Sequence, residues 1–387
     1  MSTYLEKKCP VCLNKSFEDL INFGEIPKSD FFLQNPIQRP PKIELSFEYC
    51  NKCAFIRQKS FKELHNYSED ERKTKHLSPD YSIKIVESLH KKGIKNNNLI
   101  VDIGCNDGSF LDVLSKSGFK NLLGIEPSIS CSKICVSKGY KTENRYFNKK
   151  EADKIKEKYG LVDVVVCRHV LEHIKDPFQF ITAIKKIMKR NGIFFIEIPN
   201  ANNIIYNLKA YDLWDEHLNH FTPNNLENII LRENLKSNKV LIKSYVSTNT
   251  ILLWGSINYG KRELLKDCSK DVERCKKFNK NWEDFSKKLL KKIKKTKKPI
   301  IGIGAAHPQT NFLIFSGIED YVSKLIDDDP NKFEKYAFAP NPIPIISTQK
   351  ILKSNFSGTI LKTAFGYDSW MNKICNSQKN AKILEIY

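Results

Sequence analysis

The 387-residue sequence predicts an α/β protein in which a small cysteine-rich module precedes two domains built on parallel sheets. In the middle of the chain, short apolar runs such as NLIVDIGC and DVVVCRHV alternate with helical segments such as SFLDVLSKSG, a pattern typical of βα units. The pattern restarts at PIIGIGAAHPQT, and two Cys-x-x-Cys pairs lie before the first unit. We therefore predict a module over residues 1–62, a first domain over 63–255 and a second over 256–387.

The composition indicates a globular protein with a basic surface. The chain is 41% hydrophobic and 28% charged, which excludes a disordered or fibrous chain. Its net charge of +20 favours anionic partners such as nucleic acid, anionic lipid or a phosphorylated small molecule. The basic residues are spread along the chain, so we favour general over-use of Lys, Asn and Ile as the explanation of the charge. The Lys-rich stretch 260–297 has helical apolar spacing, and we expect it to be an amphipathic helix with a solvated outer face.

The apolar runs and the cysteines predict a cytoplasmic protein without membrane insertion. No apolar run approaches the roughly 18 residues that a membrane span needs. The N-terminus, MSTYLEKKCPVC, has no apolar segment of the kind found in secretion signals. The 11 cysteines are odd in number, and several, such as Cys167, stand alone in apolar stretches. Such usage favours a reducing compartment over a disulfide framework.

The two cysteine pairs predict a structural zinc site. Cys9 and Cys12 form C-P-V-C, and Cys50 and Cys53 form C-N-K-C. Each pair places two thiolates on one tight turn, and two such turns make a tetrahedral four-cysteine site suited to Zn²⁺. A single pair of this kind is also typical of redox sites, and unrelated buried cysteines are the remaining alternative. A unit this small has little core, so bound metal would contribute much of its folding energy.

A glycine-rich loop follows the first predicted strand of the central domain. In VDIGCNDGSFL, the strand ends at Asp102, and the residues before the next helix include Gly104, Asn106, Asp107 and Gly108. The glycines let the backbone approach a ligand closely at the carboxyl ends of the strands. The spacing differs from the dinucleotide fingerprint G-x-G-x-x-G, so the loop predicts a ligand site without identifying the ligand.

Three motifs in order resemble class I S-adenosylmethionine (SAM) methyltransferases. The loop resembles their first motif, D-x-G-x-G-x-G, with Asn106 in place of one glycine. Glu126 ends the next strand and fits the acid that binds ribose hydroxyls, although NAD enzymes use such an acid too. VDVVVCRHVLEHIKDP and GIFFIEIPN match the regions of strands four and five. The resemblance implies a Rossmann-like domain that binds SAM through the loop residues and Glu126.

Over nearly its full length the chain resembles the three-domain sugar C-methyltransferases. That family has an N-terminal zinc module, a class I methyltransferase domain and a C-terminal Rossmann-like domain that helps to hold a nucleotide sugar. The segment WDEHLNHFT matches the family's Tyr-x-Glu-His loop at Glu216 and His217, with Trp214 in place of the tyrosine. The resemblance implies that a nucleotide-linked 4-keto sugar is deprotonated at C3 and methylated there. His217 would then be the general base, and Glu216 would orient it.

Other family positions are matched or replaced. His173 matches a family histidine that faces the sugar. The family has a tyrosine in the helix before the first motif, where this chain has His76, with Tyr81 nearby. In GIGAAHPQTN the family's usual lysine is absent, and His307 and Gln309 occupy the region.

Three alternative functions remain open at this stage. Zinc modules precede SAM domains in some RNA methyltransferases, but the sequence after strand four lacks their Asn/Asp-Pro-Pro-aromatic motif, and a second α/β domain is unexpected there. We therefore expect no stable nucleic-acid partner. A second alternative methylates oxygen or nitrogen of a surface-polysaccharide sugar, and a third is a non-catalytic binding module. The nucleotide, the sugar and the oligomeric state are not specified by the sequence.

Overall fold

Three sheets organise the chain, with helices between and around them. The computed structural model describes residues 8–29, 32–59, 79–245, 248–258, 260, 263–337 and 339–386. The N-terminal sheet is antiparallel, whereas the other two are largely parallel. One small antiparallel sheet followed by two α/β sheets is compatible with the predicted architecture, and the predicted domain bounds stay a prediction.

The N-terminal segment forms most of a four-stranded sheet. Its strands, in spatial order, are β1 (Phe17–Pro27), β2 (Lys42–Cys50), β3 (Ile56–Gln58) and β9 (Asn219–His220). The segment is therefore not mostly loop, because β1 and β2 are long paired strands. Two bulges in β1 interrupt its pairing with β2 and hide the alternation that predicts a strand. The sheet is completed by β9, which comes from the central domain, so the module is not structurally separate.

The central sheet has seven strands, and its apolar runs form the middle strands as predicted. The spatial order is β10 (Leu235–Tyr245), β11 (Thr248–Ile257), β8 (Met188–Pro199), β7 (Val162–Arg168), β4 (Leu99–Ile103), β5 (Asn121–Ile125) and β6 (Lys141–Glu143). The strands from β8 to β6 are parallel, and β11 pairs antiparallel with both β8 and β10. The helices are α1 (Pro79–Lys91), α2 (Ser109–Lys116), α3 (Ile129–Ser137), α4 (Lys149–Tyr159), α5 (Pro177–Ile187), α6 (Asn202–Asn207) and α7 (Pro223–Arg232).

The C-terminal sheet has six strands and repeats the same plan on a smaller scale. Its spatial order is β14 (Tyr336–Ala337), β15 (Ile343–Ser347), β13 (Val322–Asp327), β12 (Ile300–Ile303), β16 (Thr359–Leu361) and β17 (Lys382–Leu384). All neighbours except β14 and β15 are parallel. The helices are α8 (Ser269–Lys294), α9 (His307–Phe315), α10 (Thr348–Leu352) and α11 (Asp368–Ser377).

Helix α8 is the amphipathic helix that the Lys-rich stretch predicts. Its apolar face is buried through side chains such as Val272, Phe278 and Trp282, while most of its lysines are exposed. Two apolar residues of the same stretch, Leu264 and Leu265, lie before the helix and are exposed. The pattern of α8 thus reflects packing on one side and solvent on the other.

The N-terminal module shares its core with both domains. The cysteine end of the module packs into the core of the central sheet, with Cys9 and Phe55 in one cluster with Phe221. The other end packs into the core of the C-terminal domain, with Leu20 and Phe47 in one cluster with Phe312 and other residues. Because its apolar side chains are buried against both neighbours, the module holds the two domains together.

Candidate active site

The four cysteines of the N-terminal module converge as predicted. The Sγ atoms of Cys9 and Cys53 are 3.6 Å apart, and those of Cys12 and Cys50 are 3.5 Å apart. Bonds of about 2.3 Å from one tetrahedral zinc ion place sulfur atoms roughly 3.8 Å apart, so the donor set fits this ion. Burial raises the pKa of the Cys9 thiol, and a bound cation would favour the thiolate.

Contacts outside the thiols hold the cysteine turns in place, both within the module and against the central domain. Asn14 donates a hydrogen bond from Nδ2 to Sγ of Cys50 at 3.4 Å. On the other side, Asn225 of α7 donates to the Cys53 carbonyl oxygen at 3.2 Å, and Arg232 of the same helix donates to the Pro10 carbonyl oxygen. Both cysteine turns are therefore attached to α7, and their geometry is coupled to that of the central domain.

The glycine-rich loop makes a tight turn between β4 and α2. Gly104 has a φ of 75° and donates its N–H to the Ile125 carbonyl oxygen at 2.8 Å. A Cβ at Gly104 would lie 2.4 Å from the Val170 side chain, so only glycine fits there. Asn106 also has a positive φ, 51°, which asparagine tolerates better than most residues. This explains how the family glycine can be replaced at that position.

Glu126 is positioned by the turn that it faces. The side chain is buried, and its Oε2 accepts the N–H of Asn106 at 2.9 Å while Oε1 accepts the N–H of Ser128 at 2.8 Å. Asp102 is also buried, and burial raises its pKa to about 7 against the opposing effect of Arg168. Asp107 accepts hydrogen bonds from Ser109 at the start of α2. The predicted cofactor residues thus gather at the carboxyl ends of β4 and β5.

A charged group lies where β7 ends. Arg168 donates from Nε to Oε2 of Glu197 at 2.8 Å, and the ring of His169 lies between Oε1 of Glu197 at 3.4 Å and Oε1 of Glu172 at 3.3 Å. Burial alone would lower the pKa of His169, but its contacts with the two carboxylates outweigh this effect and raise it to about 10. His169 therefore carries a positive charge at neutral pH.

The predicted catalytic residues meet beside this group. His173 ends the short 3₁₀ turn Leu171–His173, and its Nδ1 lies 2.9 Å from the Glu216 carbonyl oxygen. The rings of His173 and His217 are 4.8 Å apart between centroids. Glu216 therefore contacts His173 through its main-chain carbonyl oxygen. The sequence prediction that Glu216 orients His217 stays a prediction.

His217 lies in an environment that keeps it neutral. Burial lowers the pKa of His217 well below its usual range, and the neighbouring His173 and His220 lower it further. Its Nδ1 is buried without a hydrogen-bond partner among the residues that the structure describes. A neutral imidazole with an available lone pair is the form that accepts a proton.

The structure adds Glu172 to the predicted set. One carboxylate oxygen of Glu172, one ring nitrogen of His173 and one of His217 lie within 4.8 Å of one another. Glu172 is 2% exposed. The sequence analysis selected His173 from the segment LEHI and passed over the preceding glutamate. No signal links it to His217, because only the fold brings the turn after β7 to the loop after β8.

The C-terminal domain repeats the geometry of the glycine turn. Gly304 has a φ of 95° and donates its N–H to the Ile326 carbonyl oxygen at 2.7 Å, as Gly104 does to Ile125. Asp327 accepts the N–H of Ala305 on Oδ2 at 2.9 Å, as Glu126 accepts that of Asn106. Lys332 lies 3.1 Å from the same oxygen of Asp327. The similarity between the two glycine turns therefore extends to their hydrogen bonds.

The two domains meet at the loop that carries His217. The indole of Trp214 stacks on the His307 imidazole with ring centroids 4.1 Å apart and planes 12° apart. His307 begins α9, directly after the second glycine turn. Trp214 is also 4.8 Å from the ring of His217. Trp214 thus joins the candidate base to the C-terminal domain. The position of His76 lies outside the described residues.

The segment before and after this loop is held by the N-terminal module. Ser29 donates its N–H to Oδ2 of Asp215 at 3.3 Å, and β3 pairs with β9, where Ile56 faces His220. The loop that carries Glu216 and His217 is therefore fixed at its start and its end by the module that carries the cysteines.

Two family models match the chain. One, described as a methyltransferase domain, matches residues 75–238. Residues 75–238 are thus similar to a methyltransferase domain. The other, described as a C-methyltransferase C-terminal domain, matches residues 263–361. The methyltransferase domain confirms the predicted class I α/β fold and the expectation of an enzyme, and the second match identifies the C-terminal unit as one found in C-methyltransferases.

Curated relatives align with the methyltransferase domain and its surroundings. The C-methyltransferase NovU of Streptomyces niveus is 20% identical over 225 residues, which cover 57% of this chain and 53% of that protein. The ubiquinone biosynthesis O-methyltransferase of Colwellia psychrerythraea is 30% identical over 121 residues, covering 30% of this chain and 48% of that protein. The chain thus spans about half the length of these relatives.

Solved methyltransferases also align with part of the chain. The magnesium protoporphyrin IX methyltransferase of Synechocystis PCC 6803, solved with bound SAH, shares 14% identity with a TM-score of 0.39, covering 48% of this chain and 90% of that one. The fold assignment rests on the strand order of the central sheet and on the family match. Among the helices that the structure describes, none has both the length and the apolarity for crossing a membrane.

Proposed function

We propose that the protein methylates a carbon next to the keto group of a nucleotide-linked sugar, using SAM as methyl donor. The observation that carries the proposal is the Trp214–His307 stack, which places the candidate base His217 where the methyltransferase domain meets the second glycine turn. A donor site in one domain and a nucleotide site in the other would both open toward His217. The match to a C-methyltransferase C-terminal domain supports carbon as the acceptor.

The cofactor would be held at the first glycine turn. Asp102, Asn106, Asp107 and Gly108 line the turn, and the buried Glu126 would accept hydrogen bonds from the ribose hydroxyls. Each oxygen of Glu126 accepts one backbone N–H. A carboxylate oxygen has two lone pairs and can accept more than one donor. When bound, SAM supplies an electrophilic methyl group.

His217 would carry the proton transfer. The neutral ring accepts the proton of the carbon beside the ketone, and the electron pair moves toward the carbonyl oxygen to leave an enolate, a carbon nucleophile. The indole Nε1–H of Trp214 is buried without a partner among the described residues. It is a donor available to that oxygen, so the tryptophan keeps a polar function where the family has a tyrosine hydroxyl.

Zinc in the four-cysteine site would act structurally. The thiols lie in the module that fixes the loop of His217 at Asp215 and at β9. The Sγ separations near 3.5 Å support a closed site in which protein supplies all four ligands, as in structural zinc sites.

The test of the function is the identity of the methylated product. The purified protein is incubated with SAM and a panel of 4-keto nucleotide sugars, and the products are analysed by mass spectrometry and ¹³C NMR with labelled methyl. We expect one added methyl group bonded to carbon. A methyl group on oxygen or nitrogen would show that the acceptor atom is not carbon, while a nucleotide-linked sugar would remain the substrate class. Methylation of bulk RNA and of no sugar would overturn the proposal.

Glu126→Ala should weaken SAM binding by roughly 1.5–3 kcal/mol, the scale of a lost hydrogen bond to a charged group. Because the carboxylate also accepts two backbone N–H groups of the turn, Glu126→Gln separates the two roles: it keeps one acceptor and should weaken binding less. Isothermal titration with SAM measures both. Glu157→Gln on the exposed face of α4 is the control, with unchanged affinity expected. Unchanged affinity in Glu126→Ala would place the ribose contact elsewhere.

Asp327→Ala should raise the KM for the nucleotide sugar while leaving SAM affinity unchanged. If Asp327 serves a ribose as Glu126 does, losing it costs roughly 1.5–3 kcal/mol, or about 10–100-fold in KM. The neighbouring Asp328 is exposed, so Asp328→Ala is a matched control without effect. A point variant is preferable to truncation, because the C-terminal domain shares a core with the N-terminal module. An unchanged KM would remove this domain from nucleotide binding.

A further inference from the structure

A cluster of metal-ligating groups lies inside the candidate active site, and only one of its three members, His217, has a role in the scheme above. Its members are Glu172, His173 and His217, whose ligand atoms lie within 4.8 Å of one another. The carboxylate oxygens of Glu172 are buried and make no hydrogen bond to any described residue, although Oε1 lies 3.3 Å from the His169 ring. The charged His169 ring balances the charge of Glu172, but buried carboxylate oxygens that accept no hydrogen bond remain costly.

The tautomer of His173 favours ligation. Its Nδ1 lies 2.9 Å from the Glu216 carbonyl oxygen, which can only accept, so Nδ1 carries the hydrogen. The lone pair then lies on Nε2. A backbone carbonyl that holds one imidazole nitrogen in this way is the usual outer partner of a metal-binding histidine, because it fixes both the ring and the tautomer.

His217 supplies the third candidate ligand of the cluster. Its buried Nδ1 has no hydrogen-bond partner in the described part of the chain. Bonds of about 2.0–2.1 Å from one ion place nitrogen and oxygen ligands roughly 3.4 Å apart. The observed separations are up to 4.8 Å, so binding would require the three side chains to approach one another by up to about 1.4 Å.

We propose that Glu172, His173 and His217 bind a divalent transition-metal cation of the Zn²⁺ or Co²⁺ type. Two imidazoles and one carboxylate are the ligands that these ions prefer, whereas Mg²⁺ and Ca²⁺ prefer oxygen alone. Three protein ligands leave one position of a four-coordinate ion open. This site is distinct from the four-cysteine site, which is closed and lies in the N-terminal module.

Occupancy of this site would inhibit methyl transfer, a consequence that rests on the proposed function. The cation and the substrate proton compete for His217, because a metal-bound imidazole has no lone pair left to accept the proton. We therefore expect added Zn²⁺ or Co²⁺ to suppress turnover and a chelator to restore it. The binding itself is independent of any activity.

The binding test uses the full-length protein with zinc in its four-cysteine site and Co²⁺ as the probe. We expect one further Co²⁺ per chain, with visible absorption of a nitrogen- and oxygen-ligated ion rather than the intense thiolate bands of cobalt bound to cysteine. Zinc content is measured before and after, so that exchange into the cysteine site is detected. Loss of a residue that only hydrogen-bonds to a metal ligand lowers metal affinity by about 10–100-fold. Glu172→Gln and His173→Gln each remove a ligand, so each should lower Co²⁺ affinity by more than this.

Two controls make the outcomes decisive. His90→Gln removes an exposed imidazole on α1 and should leave Co²⁺ binding unchanged. Thermal melting and SAM titration verify that the Glu172 and His173 variants remain folded. No additional Co²⁺ at millimolar concentration, or equal binding by wild type and Glu172→Gln, overturns the site. Tight Co²⁺ binding by a protein that methylates no nucleotide sugar overturns the proposed function and leaves the site standing.

Discussion

Cys50→Ser is expected to reduce the zinc content from about one ion per chain to near zero and to destabilise the protein severely. Apparent binding free energies for structural zinc sites are about 10–16 kcal/mol at neutral pH, and in small modules this energy is folding energy. Here the loss would propagate, because the module shares one core with the central sheet and another with the C-terminal domain.

The structure also predicts how the loss would reach the active site. The module fixes the loop of His217 through the contact from Ser29 to Asp215 and through the pairing of β3 with β9. Turnover of any folded Cys50→Ser protein should therefore fall, while the first glycine turn, which the module does not contact through these bonds, should still bind SAM. Elemental analysis, thermal melting and SAM titration measure the three effects.

Cys375→Ser is the matched control for the same substitution. Cys375 is a partly buried cysteine of α11, outside the four-thiol cluster. Its replacement should leave zinc content unchanged and change stability by no more than about 1 kcal/mol, as substitutions away from special features do. Fully active wild-type protein without zinc would contradict the structural role of the metal.

The central and C-terminal sheets could be predicted because their signals are local. A buried parallel strand is a short apolar run, and the turn that follows it needs glycine at a positive φ, so NLIVDIGC and PIIGIGAA each contain the strand and its turn together. The four thiols converge for the same reason, since each Cys-x-x-Cys turn forms locally and metal geometry then predicts the pairing of the turns.

The N-terminal sheet and the carboxylate beside His217 could not be predicted in this way. Strand β1 has bulges that break the alternation of buried and exposed residues, and its sheet is completed by β9 from a distant part of the chain. Glu172 approaches His217 only because the turn after β7 and the loop after β8 meet at one edge of the sheet. Such contacts are long-range, and no local pattern records them.

His217→Ala should lower the rate of methyl transfer by about 10²–10⁴-fold, the usual effect of removing a general base. SAM affinity should persist, because the cofactor residues lie on β4, β5 and the turn between them. Burial and the neighbouring histidines keep the pKa of His217 well below its usual range, so the ring stays neutral down to acidic pH. The wild-type rate should consequently show no loss between pH 8 and about pH 6.5, the ordinary histidine value.

The transferred proton itself gives the sharper measurement. In D₂O, an enzyme that forms an enolate exchanges the C3 hydrogen of a 4-keto nucleotide sugar for deuterium, even with an unreactive SAM analogue bound. NMR should detect this exchange in the wild type and not in His217→Ala. Glu216→Gln and Glu172→Gln then decide which carboxylate supports the base, since the one that orients or balances the imidazole should slow exchange more. His90→Gln, which changes an exposed residue of α1, should exchange normally. Methyl transfer by the wild type without any exchange would show that no carbon is deprotonated, and the acceptor would then be a heteroatom.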